Sequence, residues 1–212
     1  QADIDAGHYY TLSGVVPNAG DIKFVPQRDI EYKQEITDED RTILGKDVPD
    51  FTYGVNLSLQ YKGFEFSMFG QGISGTKVAF DVYGVHPFYH GQDSPRKYHL
   101  KRWTEENPNP HAAYPRIYSA SSVHTTYNRN FSDYHLFDSD YFRFKTLSLG
   151  YTVPSATVKN WGLQSLKVYV TGENLFTVRA DKKMEDFDPE TAGGVIYTMG
   201  TTSVAFGVNI SF

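Results

Sequence analysis

The 212-residue chain contains no cysteine. That excludes a disulfide framework, a cysteine-held zinc and a thiol nucleophile, and it leaves the redox compartment open. No run approaches the ~18 apolar residues of a membrane-spanning helix. No basic-then-apolar leader follows Gln1, so a signal peptide is not expected in these residues. Positive charge is also in short supply, with 20 Lys and Arg against 25 Asp and Glu and a net charge of −5. This balance excludes a basic nucleic-acid binder and gives the chain as a whole no drive toward anionic surfaces. Catalytic signatures are missing too. There is no Walker A loop and no HExxH, and Gly72-Ile73-Ser74-Gly75 lacks the GxSxG spacing. An enzyme is not expected. By length the chain reads as one ordinary domain or a little more.

Aromatic side chains are abundant instead. They make up 16% of the chain, as 16 Tyr, 15 Phe and only 2 Trp. They alternate with Gly, Ser, Thr and Asn, a texture of strands with two unlike faces. In 51–61 the residues Phe51, Tyr53, Val55, Leu57, Leu59 and Tyr61 share one face. The other face carries Thr52, Gly54, Asn56, Ser58 and Gln60, a period of two. Lys62-Gly63 turns the chain, and 64–71 returns as the second strand of a hairpin. Further strands are expected at 141–152, 165–178 and 201–212. In 141–152, Phe142 and Phe144 are out of phase with Leu147, Leu149 and Tyr151. A bulge or a change of environment both account for that.

The connections are unequal. Lys62-Gly63 and 154–164 are short, whereas 72–139 and 179–199 are long, polar and rich in His, Tyr, Asp and Pro. Short turns alternating with long loops are a property of outer-membrane barrels. A soluble β-sandwich gives the same alternation of faces. Three details favour the barrel. Aromatics stand at both ends of 51–61, whose eleven residues match the ~9–11 of a tilted crossing. The polar faces are small and uncharged. The chain ends on Phe212, after Phe206, Val208 and Ile210, as an outer-membrane assembly signal would. Five strands are too few to close a barrel, which starts at about eight. Open edges in lipid leave backbone groups unpaired, so these residues are expected to be part of a larger barrel.

Several motifs extend this reading. They are 20–24 (GDIKF), 37–45 (TDEDRTILG), 49–59 (PDFTYGVNLSL), 102–108 (RWTEENP), 141–151 (YFRFKTLSLGY), 166–170 (LKVYV), 172–177 (GENLFT) and 187–190 (FDPE). In these residues and their order the chain resembles the C-terminal part of SusC/RagA-type TonB-dependent outer-membrane transporters. The resemblance implies an all-β fold, an antiparallel transmembrane barrel of 22 strands around a plug. This chain would supply the last five strands and their extracellular loops, without the plug. The division implied is an extracellular region 1–50, a hairpin 51–71 and a long extracellular loop 72–139. Two strands with a periplasmic turn (140–178), an extracellular loop 179–200 and a terminal strand 201–212 follow. The implied setting is a Gram-negative outer membrane, and the implied function is uptake of oligosaccharides or peptides. Implied partners are the rest of the transporter, a SusD-like surface lipoprotein, TonB through the missing part, lipid and substrate, with no nucleic acid and no cofactor. A soluble carbohydrate-binding β-sandwich and a siderophore-type TonB-dependent receptor are the alternatives.

The six apolar residues of 51–61 are expected to face lipid. Members of the family often carry an acidic, glycine-rich run resembling a calcium loop between the first two motifs. Here only Asp38 and Asp40 remain of it as metal candidates, and the i,i+4 pair His86 and His90 would need a helix that Gly84, Pro87 and Gly91 argue against. Six of seven histidines fall between His86 and His135 and read as exposed loop residues. Tyr89, His90, Trp103, Asp186 and Asp188 are the candidate contacts to substrate or lid. Trp103 with Tyr89, Tyr98 and Tyr114 could stack on a sugar or anchor an interface, and a structural loop role for Trp103 has equal standing. The acidic stretch 181–190 reads as a solvated loop. Asp138 and Asp140 are expected to be exposed.

Overall fold

The structure, a computed structural model, describes residues 1–79, 86–88, 94–182, 185, 187–190 and 200–212. It divides into two compact units. One includes Gln1–Gly45 and Val78–Phe137, and the other includes Lys46–Lys77 with most of the chain after 137.

The second unit is built on a five-stranded antiparallel sheet. Its strands are β3 (Phe51–Tyr61), β4 (Phe64–Ser74), β7 (Tyr141–Thr152), β8 (Ser165–Arg179) and β9 (Ser203–Ser211), in that spatial order. Sequential strands pair with their neighbours throughout, so β3 and β9 are the two edges. Lys62 (φ 47°) and Gly63 (φ 87°) make the two-residue β3–β4 turn, with both central residues left-handed as the strand twist demands. Helix α3 (Ser155–Lys159) shapes the β7–β8 turn, with Val158 fully buried beneath it.

Residues opposite one another in an antiparallel pair lie on the same face. The register therefore joins Leu57 to Met68, Met68 to Leu147, Leu149 to Val170 and Val170 to Phe206 on one surface. The phase break in β7 is a bulge. The pairing passes from Phe69–Thr146 to Gly70–Phe144 and leaves Lys145 unpaired. Phe142 and Phe144 then share the face of Leu147, Leu149 and Tyr151. β8 accommodates the same irregularity at Asn174, whose φ is +52°. On β4, Gly70 and Gly72 leave room for the neighbouring rings. The rings of Tyr53 and Phe142 stack at 6.0 Å with 3° between planes, one from each strand flanking β4. This lets β4 run to Ser74, three residues past the expected hairpin end.

The first unit has little regular structure. β1 (Thr11–Leu12) pairs in parallel with β2 (Glu35–Ile36), and α1 (Ala2–Asp5) and α2 (Val123–Asn128) are short helices. β5 (Lys77–Ala79) pairs with β6 (Leu136–Asp138). Among its described residues, the expected long loop 72–139 holds β5, β6, α2 and 3-10 turns at Lys97–Lys101 and Asp133–His135. Side-chain hydrogen bonds substitute for the hydrophobic periodicity that these segments lack.

Candidate functional site: an uncovered apolar face and a loop cavity

The apolar face of the sheet is bare. Phe51, Tyr53, Val55, Leu57, Leu59 and Tyr61 are all exposed, and so are Val204, Phe206, Val208 and Ile210 on the far edge. Phe206 is 84% exposed, where a soluble fold would bury it. Tyr61, Phe64 and Tyr151 line the end with the short turns. Tyr53, Phe142, Phe144 and Phe176 line the other end, and the band between is mainly aliphatic, with Phe66 and Phe206 in one row of it. Phe212, also expected in an assembly signal, follows β9 and is 82% exposed.

The opposite face is polar but not free of charge, which corrects the sequence reading. β3 and β9 carry small uncharged groups, as expected. The middle strands add Glu65, Lys167 and Arg143. Lys167 pairs with Glu65 at 2.5 Å. Pairing lets these charges share a face that looked uncharged strand by strand.

Asp188 does not lie in a solvated loop. Its side chain is buried against β7, where Arg143 holds it, and Phe187 is buried beside it. Arg143 also reaches Glu190 at 3.0 Å, as does Lys145 at 2.5 Å. Burial alone would raise the Asp188 carboxyl, but hydrogen bonds from Arg143 and the Glu190 amide hold it below the usual range. Asp188 is thereby committed to its own chain rather than to a substrate or lid. Asp186, Tyr89 and His90 lie outside the described residues. Asp140 is likewise an anchor rather than an exposed acid. It accepts from the Ser74 hydroxyl and the Gly75 amide, both at 2.8 Å, and from the Thr76 amide at 3.1 Å. These bonds outweigh its burial and depress its pKa.

The metal candidates separate. Asp38 is exposed and pairs with Arg41. Asp40 is buried and accepts from the Arg28 guanidinium and the amides of Gln27, Arg28 and Thr37. Arg28 foremost, then the amides, holds its carboxyl well below the usual range. N–H donors occupy the lone pairs a cation would need. The Arg28–Asp40 ion pair stands where the resemblance implies an acidic, glycine-rich run.

The histidines correct another expectation. His86, His99 and His135 are buried. His86 Nδ1 lies 3.0 Å from the Tyr114 hydroxyl, the His99 ring meets Tyr114 edge-on at 4.5 Å, and His86 stands 5.5 Å from His135. Imidazoles shelter readily among aromatic rings, a possibility that composition does not reveal.

Within the first unit, two motifs far apart in sequence meet. Gly20 (φ +91°) lies under the indole of Trp103, which any Cβ at position 20 would strike. The Arg116 amide donates to the Gly20 carbonyl at 2.8 Å, and the Arg116 guanidinium lies 5.7 Å from the Trp103 ring. Next in sequence, Asp21 binds His124 and Asn128 of α2, each at 2.8 Å. Beside this junction is a cavity of about 730 Å³ with Tyr9, Tyr10, Trp103, Tyr114, Tyr127 and Tyr134 in its walls. Burial raises the Tyr114, Tyr127 and Tyr134 hydroxyls, which remain neutral donors. Trp103 and Tyr114 meet at this cavity as the sequence reading grouped them. The Tyr98 ring lies 5.9 Å from that of Tyr114 and 4.0 Å from that of His99, tilted against both. Tyr9, Tyr10, Tyr127 and Tyr134 join them through the fold, and nothing in their local sequence marks them as cavity residues.

No family model matches the chain. Two TonB-dependent receptors of Formosa agariphila do. Receptor P3 is 29% identical over 167 residues, covering 79% of this chain and 15% of the relative. Receptor P26 is 30% identical over 174 residues, covering 82% and 16%. The chain thus spans about one sixth of the length of these curated relatives. Among solved structures, the RagAB peptide importer in its open-open state aligns with a TM-score of 0.61 at 22% identity, over 90% of this chain and 20% of the other. The closed-closed state gives 0.62 at 21%, over 90% and 21%. In sequence the chain is thus similar to a segment of TonB-dependent receptors, and in fold to a segment of the RagAB importer, in line with the resemblance its motifs carry.

Proposed function

We propose that these residues form part of the wall and outer loops of an outer-membrane active transporter. The observation that carries this reading is the bare apolar face. Five strands direct more than twenty apolar side chains to one surface, and those of both edge strands stay exposed. A lipid bilayer solvates such a face. The aromatics at its two ends match interfacial girdles about a mainly aliphatic band. The unpaired edges of β3 and β9 call for further strands, because lipid offers backbone groups no hydrogen bonds. Those strands belong to a larger plugged barrel, for which 22 strands is the family expectation. A soluble sandwich is disfavoured, since a second sheet would bury the residues that are exposed here.

On this reading the short turns face the periplasm and the first unit lies outside, where its cavity contributes to substrate or lid contacts. The solved relatives are named as peptide importers. We propose a peptide or oligosaccharide as cargo, a SusD-like lipoprotein as lid and energy from TonB through the rest of the protein. The test is fractionation of the full-length protein with heat-modifiable migration on gels. Outer-membrane recovery with a folded, faster-migrating band is expected. Recovery of this segment as a stable soluble monomer would overturn the reading.

A further inference from the structure

The net charge of −5 hides a local excess of the opposite sign. Across residues 60–66 and 151–168, the short-turn end of the sheet, the only acid is Glu65. Lys167 occupies it at 2.5 Å. Lys62 and Lys159 are left as the excess charge of the two turns. The turns are neighbours, since the Thr152 amide donates to the Gly63 carbonyl at 2.8 Å.

Two details argue that Lys62 is retained for a purpose. It occupies a left-handed position, at φ 47°, where Asn, Asp or Gly is the preferred choice. Its ammonium lies 5.2 Å from the centroid of the Tyr61 ring, on the border of the apolar face. Lys159 closes α3 and is exposed, and Trp161 two residues later is 60% exposed although Val158 is fully buried. Phe64 and Tyr151 pack at 4.6 Å in the same row. Exposed Trp and Tyr with lysines at the edge of an apolar surface match the headgroup zone of a bilayer.

Resting on the transporter reading, we infer that Lys62 and Lys159, flanked by Tyr61, Tyr151 and Trp161, form a binding site for anionic phospholipid headgroups. The ammonium groups take the phosphates, and the rings lie among the glycerol and upper acyl carbons. The leaflet is the one that the short turns face. The site fixes the depth of the wall in the membrane, which the apolar band alone leaves free to slide.

The test uses the full-length transporter, extracted in detergent and exposed to phosphatidylglycerol vesicles, with retained lipid counted by native mass spectrometry. The variants are Lys62→Gln with Lys159→Gln, and Lys101→Gln in the first unit as a control. Each lysine near a lipid surface is worth roughly fivefold in partitioning, so the double variant should retain at least tenfold less phosphatidylglycerol at limiting lipid. Lys101→Gln should match the unaltered protein. Equal retention by the double variant, in a protein that still migrates as a folded barrel, overturns this site and leaves the transporter reading intact. Displacement of the lipid by millimolar inorganic phosphate overturns it too. Loss of folded migration in the unaltered protein overturns the transporter reading itself.

Discussion

Arg143 and Asp188 form a two-point pair, with Nη2 2.6 Å from Oδ1 and Nη1 3.3 Å from Oδ2. Their side chains are only 4% and 6% exposed. The pair fastens residues 187–190 to β7. Removing Arg143 takes the bidentate cation from the buried Asp188 carboxylate, so Arg143→Leu should cost roughly 3–5 kcal/mol. Arg143→Lys keeps the charge without the fork geometry and should fall between. Thermal unfolding and limited proteolysis around 181–190 measure both. Equal behaviour of Arg143→Leu and the unaltered protein would exclude the clamp.

Outside the strands, hydrogen bonds hold the carboxyls of Asp40, Asp140 and Asp188 below their ordinary range. A depressed folded pKa adds stability that is fully present above the unfolded value of about 3.9 and is lost as pH falls through the folded pKa. Stability should be level with respect to these groups above about pH 5 and fall below about pH 4. Asp40→Asn should flatten part of that fall. Melting temperatures from pH 7 to pH 2.5 test the sign.

Gly20→Ala should destabilise the first unit by roughly 1–3 kcal/mol, as overpacking does. The position has φ +91°, and the added methyl meets the Trp103 indole. A changed Trp103 emission should accompany the loss. Unaltered emission and melting would show that the two motifs do not support each other.

The bulge at Lys145 invites a pair of variants. Deleting Lys145 removes the extra residue and leaves Phe142 and Phe144 in phase with Leu147, since Thr146 still faces Phe69 and Phe144 still faces Gly70. The regular strand should still assemble in the outer membrane, and failure would show that the bulge itself is required. Lys145→Ala keeps the bulge and should assemble, losing only the contact to Glu190.

Much of this architecture was legible because a strand writes its environment into every second residue. Phe51 to Tyr61 announced both the strand and its apolar face. The β7 bulge was visible as a broken phase, yet its cause was not, since only the partner strand defines a register. Burial of Asp188, Asp40, His99 and His135 was illegible for another reason. Polar side chains are buried by partners distant in sequence, as Arg143 is from Asp188. Trp103 stood out by rarity, whereas Gly20 beneath it became meaningful only through its backbone angle.

The central claim is that the Leu57 side of the sheet meets lipid and the Ser58 side does not. The direct test is Leu57→Arg against Ser58→Arg in the full-length protein, read as the fraction assembled in the outer membrane with heat-modifiable migration. An arginine near the bilayer midplane should cost roughly 2–4 kcal/mol, and one facing the interior much less. The account predicts loss of assembly for Leu57→Arg and near-normal levels for Ser58→Arg. Equal, mild effects at both positions would contradict it.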